Sequence, residues 1–399
     1  MDSRIYWLAA TVFLAGIDEN ICIGILPAIS ADLRVSLASA GQLTTIFSCV
    51  FALTAFGLSL RIARSDRKRW LLAALSLFAA SNLLAAISPG YASLFAARIA
   101  MAASCATAIL VATRLAADLA PADARGRAIG IVFMGISGSL VLGVPVGMTI
   151  ADLAGWRAVF VAIALPVLPL AVYLASRLPV TRAAASSALP LRAYHAQLAH
   201  PKMLCGQLVS VAMIGGHFTL FAYLTPYLQA RLAPSAGTLT LLYAAFGIAG
   251  VAGAWLGGWF SDRAGAARAL VACPAVFLLA MMALPLTGRS AALFVPAMMV
   301  WGCISWSISP IVQNYLIRSA PGAADENIGI NVSAMHLGVA LGAGAGGLLV
   351  ERGALLATPW AGCAIVALAL VLAWVSTQMA APVDAAVETR SASGQIADT

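Results

Sequence analysis

Two adjacent acids lie deep inside the first apolar run of the chain. Asp18 and Glu19 occur in the segment GIDENICIGILP, thirteen and fourteen residues after the run begins at Ile5, or roughly 20 Å from its start at about 1.5 Å per helical residue. An acid at this depth must reach water or a neutralising partner, so it indicates a functional site that could take up and release a proton. Adjacent helical residues point in different directions, and we choose Glu19 ahead of Asp18 as the titrating group. The alternative is that one acid only bonds to a neighbouring helix.

Arg98 is the basic residue that lies deepest in an apolar run. Arg114 shares that run but is close enough to a helix end for its side chain to reach the surface. We expect Arg98 in the same half of the membrane as Asp18 and Glu19, where the three could form one buried charge cluster. Movement of the guanidinium between states could then drive proton release. A static ion pair between the first and fourth runs is the alternative.

The second half of the chain has no central acid, but it does have polar and aromatic residues near the middle of its apolar runs. Such groups could bind a neutral or weakly cationic solute by hydrogen bonding and stacking, and a histidine could also carry protons. For each of them a hydrogen bond between helices is an equal alternative. The candidate cavity residues are His217, Tyr223, Trp301, Gln313, Asn314, Asn331 and His336.

The composition of the chain is that of a membrane protein. Of the 399 residues, 62% are apolar and 10% are charged, against about 45–50% and about 25% in soluble domains, and the mean hydropathy is +0.95. Soluble enzymes, nucleic-acid-binding proteins and secreted scaffolds are therefore excluded. The seven cysteines form no CxxC pair and no metal-ligand spacing, and no GxxxxGK[ST] motif occurs. We expect no enzymatic site, metal or cofactor, and no ATP drive.

Twelve apolar runs are long enough to cross a membrane as helices. Their approximate limits are 5–29, 41–60, 70–88, 94–116, 128–150, 158–177, 203–228, 238–260, 269–287, 291–314, 328–350 and 355–377. Pro27 and Pro226, and Arg64 and Arg263, are matched at an offset of 199 residues, which suggests two parallel halves. We predict an all-α polytopic membrane protein with six-helix bundles at 1–177 and 203–379, a cytoplasmic linker at 178–202 and a disordered cytoplasmic tail at 380–399.

Basic residues predict the orientation of these spans. Sixteen of the 23 Lys and Arg residues fall on the side of the N-terminus, and two, Arg98 and Arg114, lie within spans. The five on the opposite side are Arg34, Arg157, Arg231, Arg289 and Arg352. Because basic residues collect in cytoplasmic loops, we expect a cell (inner) membrane protein with both termini in the cytoplasm.

Small residues and a proline mark the fifth span. Gly138, Gly143 and Gly147 would let a neighbouring helix approach closely. Pro145 leaves a backbone carbonyl without its helical donor, so we expect a bend at which the span could rock.

Several segments resemble the major facilitator superfamily. The closest resemblance is to its twelve-span drug:proton antiporter group, especially bacterial arabinose-efflux and purine-efflux-like permeases. GIDENICIGILPAISADL is similar to that group's first span, with Glu19 at the acidic position followed by Pro27 and Asp32. GSLVLGVPVG resembles the antiporter motif of span 5, carried by Gly138, Gly143, Pro145 and Gly147.

Three further segments resemble the same group. GWRAVF is similar to the family's entry to span 6, and HFTLFAYLTPYL to its span 7. GWFSDRAG resembles the cytoplasmic loop motif between spans 8 and 9, carried by Gly258, Asp262, Arg263 and Gly265. The resemblance runs from about residue 8 to 375.

Two segments depart from the family pattern. In SLRIARSDRK, which holds Arg64 and Arg67, Ser59 and Ala63 replace the first Gly and the Asp of the loop motif, and Asp66 replaces its second Gly. Asp66 could substitute for the missing Asp as the partner of an Arg across the helices. In RIAMAAS, span 4 keeps Arg98, but Met101 and Ala102 replace the usual Gln and Gly.

The resemblance implies a secondary active transporter that exports a small organic solute or drug by alternating access, with protons in exchange. We expect a monomer whose partners are the solute, protons and lipid, and no nucleic acid. A proton-coupled importer or a uniporter of a sugar or nucleoside is the first alternative. A non-transporting membrane receptor or scaffold is the second.

Overall fold

A computed structural model describes residues 2–59, 66–121, 124–179, 191–288 and 290–382 of the chain. All the regular structure in these ranges is helical, and twelve of the helices are long and apolar enough to cross a membrane. The predicted fold class is therefore confirmed. The predicted tail lies outside the described residues from 383 onward, as do linker residues 180–190 and Arg64.

Eight helices form the N-terminal half. They are α1 (Arg4–Gly24), α2 (Leu26–Leu33), α3 (Leu37–Ser59), α4 (Arg67–Ala86), α5 (Tyr91–Leu119), α6 (Arg125–Gly138), α7 (Val144–Ala154) and α8 (Trp156–Arg177). Among these, α1 packs against α5, α6 and α8, and α4 packs against α5 and α8.

A short helix, α9 (Leu191–Ala199), precedes the C-terminal half. The helices of that half are α10 (Pro201–Phe221), α11 (Leu224–Leu232), α12 (Ala236–Ala264), α13 (Ala266–Thr287), α14 (Ala291–Ser319), α15 (Ala324–Glu351) and α16 (Thr358–Gln378). Here α10 packs against α15 and α16, and α12 and α13 pack against α14.

The first span of each half is broken where the sequence predicts one continuous run. In the N-terminal half α1 ends at Gly24, and α2 has Pro27 as its second residue. In the C-terminal half α10 ends at Phe221, and Pro226 lies in the first turn of α11. Proline has no backbone N–H and disfavours helical geometry in the residue before it, which explains why the two breaks match.

The fifth span, in which a bend at Pro145 is predicted, contains a single π-helical turn between α6 and α7. It covers Ser139–Gly143, and Pro145 follows at the second position of α7. Because Pro145 has no N–H to donate to the carbonyl of Val141, regular hydrogen bonding is interrupted here, as expected for a π-turn beside a proline.

The ends of the membrane-spanning helices define two opposite faces of the molecule. Arg4 donates a hydrogen bond to the Arg177 carbonyl (3.1 Å), and Lys202 donates one to the Met379 carbonyl (3.0 Å). Thr225, just after the end of α10, bonds to Ile23 near the end of α1, so the ends of these two helices lie together. The starts of α1 and α10 and the ends of α8 and α16 therefore share the opposite face, which we call the terminal face. The face at which α1 and α10 end is the distal face.

In the described part of the chain, helices of the two halves pack against each other at three main places. α3 packs along α15, α12 packs against α7 and the π-turn, and α11 contacts the ends of α1 and α2 at the distal face. At the distal contact the Thr225 hydroxyl lies 2.9 Å from the Ile23 carbonyl and 2.8 Å from the Tyr243 hydroxyl. Because the Thr225 hydroxyl donates to the Ile23 carbonyl, it joins the ends of the two broken spans directly.

Candidate functional site

Asp18 and Arg98 form a fully buried ion pair inside the N-terminal half. Arg98 Nη1 lies 3.5 Å from Asp18 Oδ2 and donates a hydrogen bond to the Asp18 backbone carbonyl at 2.9 Å. Both side chains are 0% exposed. The guanidinium also lies over the ring of Phe47 on α3, with Cζ 4.2 Å from the ring centroid. This one side chain therefore links α5 to α1 and α3.

The surroundings of the pair satisfy only part of its hydrogen-bonding capacity. The thiol of Cys105 donates to Asp18 Oδ2 at 3.7 Å. Asp18 Oδ1, Arg98 Nε and Arg98 Nη2 are buried without a hydrogen-bond partner in the described part of the chain. The charges are thus held mainly by each other, and removal of either one would leave the other buried and uncompensated.

Glu19 points away from this pair and toward the C-terminal half. Its Oε1 lies 4.0 Å from Nδ1 of His336 on α15. The imidazole of His336 stacks on the ring of Phe51 on α3, with centroids 3.6 Å apart and planes 21° apart. The side chains of Glu19 and His336 are 23% and 12% exposed. Glu19 therefore lies at the interface between the halves and is only partly enclosed by neighbouring side chains.

The sequence suggests one cluster of Asp18, Glu19 and Arg98, but in the structure the two acids make separate contacts. Asp18 pairs with Arg98, whereas Glu19 faces His336, because consecutive residues of α1 project toward different neighbours. The cavity residue His336 and the acid Glu19, predicted separately, are brought together. Direct pairing of Glu19 with Arg98 is not seen among the described residues.

His217 lies in an aromatic box within the C-terminal half. Its ring is stacked on Phe221 at 4.7 Å and lies 4.8 Å from Trp301, with Phe218, Phe246 and Phe277 around it. Ser305 Oγ lies 3.0 Å from His217 Nδ1 and donates to the Trp301 carbonyl at 2.6 Å. Since the hydroxyl has one proton to donate, Nδ1–H of His217 is the donor to Ser305.

The other candidate cavity residues lie in separate places. Asn331 donates from Nδ2 to Gln207 Oε1 (3.0 Å) and Ser210 Oγ (2.9 Å), which links α15 to α10. Tyr223 is buried at the distal face, where its hydroxyl donates to the Ala343 carbonyl at 3.3 Å. Gln313 is partly buried on α14.

Asn314 lies at the terminal face rather than beside the histidines. Its Nδ2 donates to Ser261 Oγ (2.8 Å) and to Asp262 Oδ1 (3.2 Å), and its Oδ1 accepts from Arg318 Nε (2.9 Å). Arg318 also pairs with Asp262 at 3.3 Å. This loop network joins the end of α12 to the end of α14.

The other residues of the GWFSDRAG motif lie in the last turns of α12 and in the turn that leads to α13. The guanidinium of Arg263 lies 4.8 Å from the Trp259 ring centroid. Gly265, between α12 and α13, has a backbone φ of +90°, which residues with a Cβ rarely adopt. Gly258 is partly buried near the end of α12, with open space where a Cβ would lie.

The described part of the SLRIARSDRK segment, from Asp66 onward, differs from the expectation. Asp66 caps α4 by accepting from the backbone N–H of Lys68 (3.1 Å), and it pairs with Arg69 of its own first turn (3.2 Å). The ion pair across helices is formed instead by Arg67 with Asp118 at the end of α5. Asp66 acts as a helix cap because it stands directly before the first helical residue.

The glycines of the span 5 motif let α1 pack closely against the π-turn and α7. Ideal Cβ atoms at Gly143 and Gly147 would overlap the side chains of Ile17 and Ile21, and one at Gly138 would touch Phe13 at 3.4 Å. These glycines allow close packing of α1, as the small-residue pattern indicates. Pro145 is buried at the start of α7.

A small cavity lies between the halves next to the π-turn. It has a volume of about 10 Å³ and is lined by residues of both halves, namely Asn20, Leu140, Val144, Phe221, Tyr243, Phe246 and Gly247. That volume admits about one water molecule. A solute bound at this level therefore needs the halves to separate.

An ion pair at the distal face clasps α2 to α8. Arg157 Nη1 lies 2.5 Å from Asp32 Oδ2, and Trp156 Nε1 donates to the same oxygen at 3.2 Å. Arg157 also donates to the Ser88 carbonyl at 3.1 Å. The hydrogen bonds from Arg157 and Trp156 lower the pKa of Asp32 below its ordinary value.

Sequence reasoning missed several residues that complete these contacts. Phe47 and Phe51 are four residues apart on α3, a spacing that places both on one helix face, and this is the signal that could have identified them. Cys105 is seven residues after Arg98, again on one face of the helix. Asp118 pairs with Arg67 of another helix, and no spacing along the chain indicates that pairing.

Comparisons with known proteins agree with one another. A model of the Major Facilitator Superfamily matches residues 8–326. The uncharacterized MFS-type transporter YbcL of Bacillus subtilis (strain 168) is 35% identical over 368 residues, covering 92% of this chain and 94% of that protein. A chloramphenicol resistance protein of Streptomyces lividans is 30% identical over 392 residues, covering 96% and 100% of the two chains.

A solved structure shows the same fold. The inward-facing, unoccupied structure of a bacterial homolog of the human lysosomal transporter Spinster has a TM-score of 0.76 and 16% identity, and the match covers 94% of this chain and 97% of that one.

Proposed function

Because this chain belongs to the Major Facilitator Superfamily and is a multi-pass membrane transporter, we propose that it exports a small organic solute in exchange for protons. Glu19 is the residue that takes up and releases the proton. Two half-bundles, 1–177 and 203–379, move about the central interface, joined by the linker 178–202. The protein acts as a monomer in the cell's inner membrane, with the terminal face in the cytoplasm.

The position of Glu19 carries this proposal. It is an acid in the interior of a membrane-spanning helix, it faces the interface between the halves, and it is 23% exposed. An intramembrane acid that solvent reaches can exchange a proton with whichever side is open. Asp18 is 0% exposed and paired with Arg98, so a structural role suits it better.

A small organic drug is the solute class that the relatives favour. The Streptomyces lividans relative is named for chloramphenicol resistance and matches nearly the whole of both chains. The aromatic and polar groups near the interface, with His217, Trp301, Asn331 and His336 among the proposed cavity residues, suit an uncharged aromatic solute. Tyr223, Gln313 and Asn314 belong to the proposed set as well, with Tyr223 near the distal face and Asn314 near the terminal face.

Proton flux in proteoliposomes tests the proposal. Purified protein is reconstituted with a trapped pH dye, a pH gradient is imposed, and chloramphenicol and pools of lipophilic cations, nucleosides and sugars are added in turn. We expect at least one of these to trigger proton movement opposite to its own, and Glu19→Gln to abolish gradient-driven transport while solute binding is retained. Glu351→Gln, an exposed acid at the end of α15, is the matched control and is expected to behave as wild type.

Each other outcome has a definite meaning. Unchanged gradient-driven flux in Glu19→Gln would show that Glu19 does not couple proton movement to solute transport. Protons that move with the solute indicate an importer, and solute flux without proton movement indicates a uniporter. Binding without flux indicates a receptor or scaffold.

A further inference from the structure

Glu19 and His336 face each other across the two halves near the middle of the bundle. Glu19 belongs to α1 and His336 to α15, and their facing oxygen and nitrogen are 4.0 Å apart. Phe51 of α3 holds the imidazole from the N-terminal side by stacking at 3.6 Å. Movement of one half relative to the other must therefore change the distance between the acid and the histidine.

This contact differs from the ion pair beside it. Asp18 and Arg98 both belong to the N-terminal half and are sealed from solvent, so they move together. Glu19 and His336 belong to different halves, and each keeps a solvent-exposed fraction. Nδ1 of His336 has no hydrogen-bond partner within the described residues, so no other contact competes with Glu19 for this atom.

Charged and titratable groups reach Glu19 from its own helix, from α5 and from α15, while α3 presents the uncharged ring of Phe51. They are Asp18 on α1, Arg98 and Cys105 on α5, and His336 on α15. The helices on the other side of α15 hold their titratable groups within the C-terminal half, where His217 of α10 bonds to Ser305 and Tyr315 of α14 bonds to Ser376. His336 is thus the group of the C-terminal half that lies against Glu19.

We propose that His336 senses the protonation state of Glu19 across the interface, a role that rests on the proposed function. When His336 carries a proton and Glu19 does not, their opposite charges attract across a medium of low dielectric constant and hold α1 and α15 together. A second proton, taken up from water, neutralises Glu19 and leaves His336 charged, so the attraction ends. The halves are then free to separate at this level, and loss of that proton to water restores the pair.

Infrared titration tests the pairing without transport. The C=O stretch of protonated Glu19 is assigned by its loss in Glu19→Gln, and the pH at which it is half developed is compared between wild type and His336→Gln in detergent. Removal of a charged partner at this distance should displace that midpoint by about one pH unit or more. His195→Gln, a histidine exposed on α9, should leave the midpoint where it is.

A second variant guards against misfolding. If His336→Gln does not yield monodisperse protein, His336→Asn removes the same imidazole with a smaller side chain and leaves Glu19 in place. The same displacement is expected. An unchanged midpoint in whichever of the two variants folds overturns the proposal.

Transport separates this inference from the proposed function. In His336→Gln we expect exchange of solute without a gradient to persist, and gradient-driven accumulation to fall at least about tenfold. If Glu19→Gln keeps gradient-driven flux, the proposed function itself fails. If Glu19→Gln loses that flux while His336→Gln keeps it with an unchanged infrared midpoint, only the role of His336 is wrong.

Discussion

Tyr194 of α9 packs edge-on against Phe56 of α3, with ring centroids 5.7 Å apart and planes at 84°. Gln197 of the same short helix accepts a hydrogen bond from Asn327 of α15 at 3.0 Å. The segment that joins the halves in sequence therefore also touches both halves at the terminal face.

Tyr194→Ala should loosen this link between the halves. Tyr194 is 2% exposed, and an aromatic pair adds about 0.5–1.5 kcal/mol beyond the area it buries. We expect a lower melting temperature in detergent and faster solute exchange without a gradient. Tyr194→Phe keeps the ring and should lie closer to wild type than Tyr194→Ala. Identical melting and exchange in Tyr194→Ala and wild type would show that α9 does not restrain the halves.

Arg98→Met should destabilise the N-terminal half strongly. Removal of one member of a buried pair leaves the other uncompensated, which costs about 3–5 kcal/mol of unfolding free energy. The double variant Asp18→Asn/Arg98→Met removes both charges and should melt at a higher temperature than Arg98→Met alone.

Arg98→Lys should not rescue this position. The guanidinium reaches the Asp18 carboxylate and the Asp18 carbonyl while it lies flat on Phe47, and an ammonium lacks that planar geometry. Thermal unfolding and gradient-driven transport both measure the loss. Wild-type values for Arg98→Lys would mean that Arg98 acts only as a bulky packing residue.

Asp32→Asn should reduce stability at neutral pH and not at low pH. The pKa of Asp32 is lowered from 3.8 by hydrogen bonds from Arg157 and Trp156. A lowered folded-state pKa means that this contribution is fully present above the ordinary value and is lost as the pH falls through the lowered one. Melting temperatures measured at pH 7 and at successively lower pH should therefore converge for wild type and variant. A constant difference across that range would contradict the assignment.

Gly247→Ala should disturb the packing of α12 against the π-turn. An ideal Cβ at Gly247 would lie 2.7 Å from the Leu140 carbonyl oxygen and 3.0 Å from the Val141 Cα. Because these are backbone atoms that do not rotate away, we expect a cost of about 1–3 kcal/mol, visible as a lower melting temperature. Gly344→Ala is the matched control, since Gly344 lies within α15 with open space around it, and it should melt no lower than wild type.

Much of the architecture follows from local sequence alone. A run of about 20 apolar residues has to cross a membrane as a helix, so the twelve spans were predictable one at a time. Pro27, Pro145 and Pro226 remove backbone donors wherever they stand. Breaks occur near Pro27 and Pro226 and a π-turn near Pro145, whereas Pro166 and Pro169 lie inside the continuous helix α8, so a proline alone does not determine a break.

The depth of the candidate acids was predictable for the same reason. Rise per residue alone places Asp18 and Glu19 inside α1. Their residue types indicate that each needs a partner or water. Neither depth nor residue type says which partner each will have.

Only the tertiary structure decided those partners. Asp18 meets Arg98, Glu19 meets His336, and Asn314 joins Asp262 and Arg318 at the terminal face. Each of these contacts joins residues of different helices, and it depends on how the helices are rotated and how deep each lies against its neighbours. Those rotations are set by close packing of many side chains at once, such as Ile17 and Ile21 against the glycines of span 5, so no single stretch of sequence contains them.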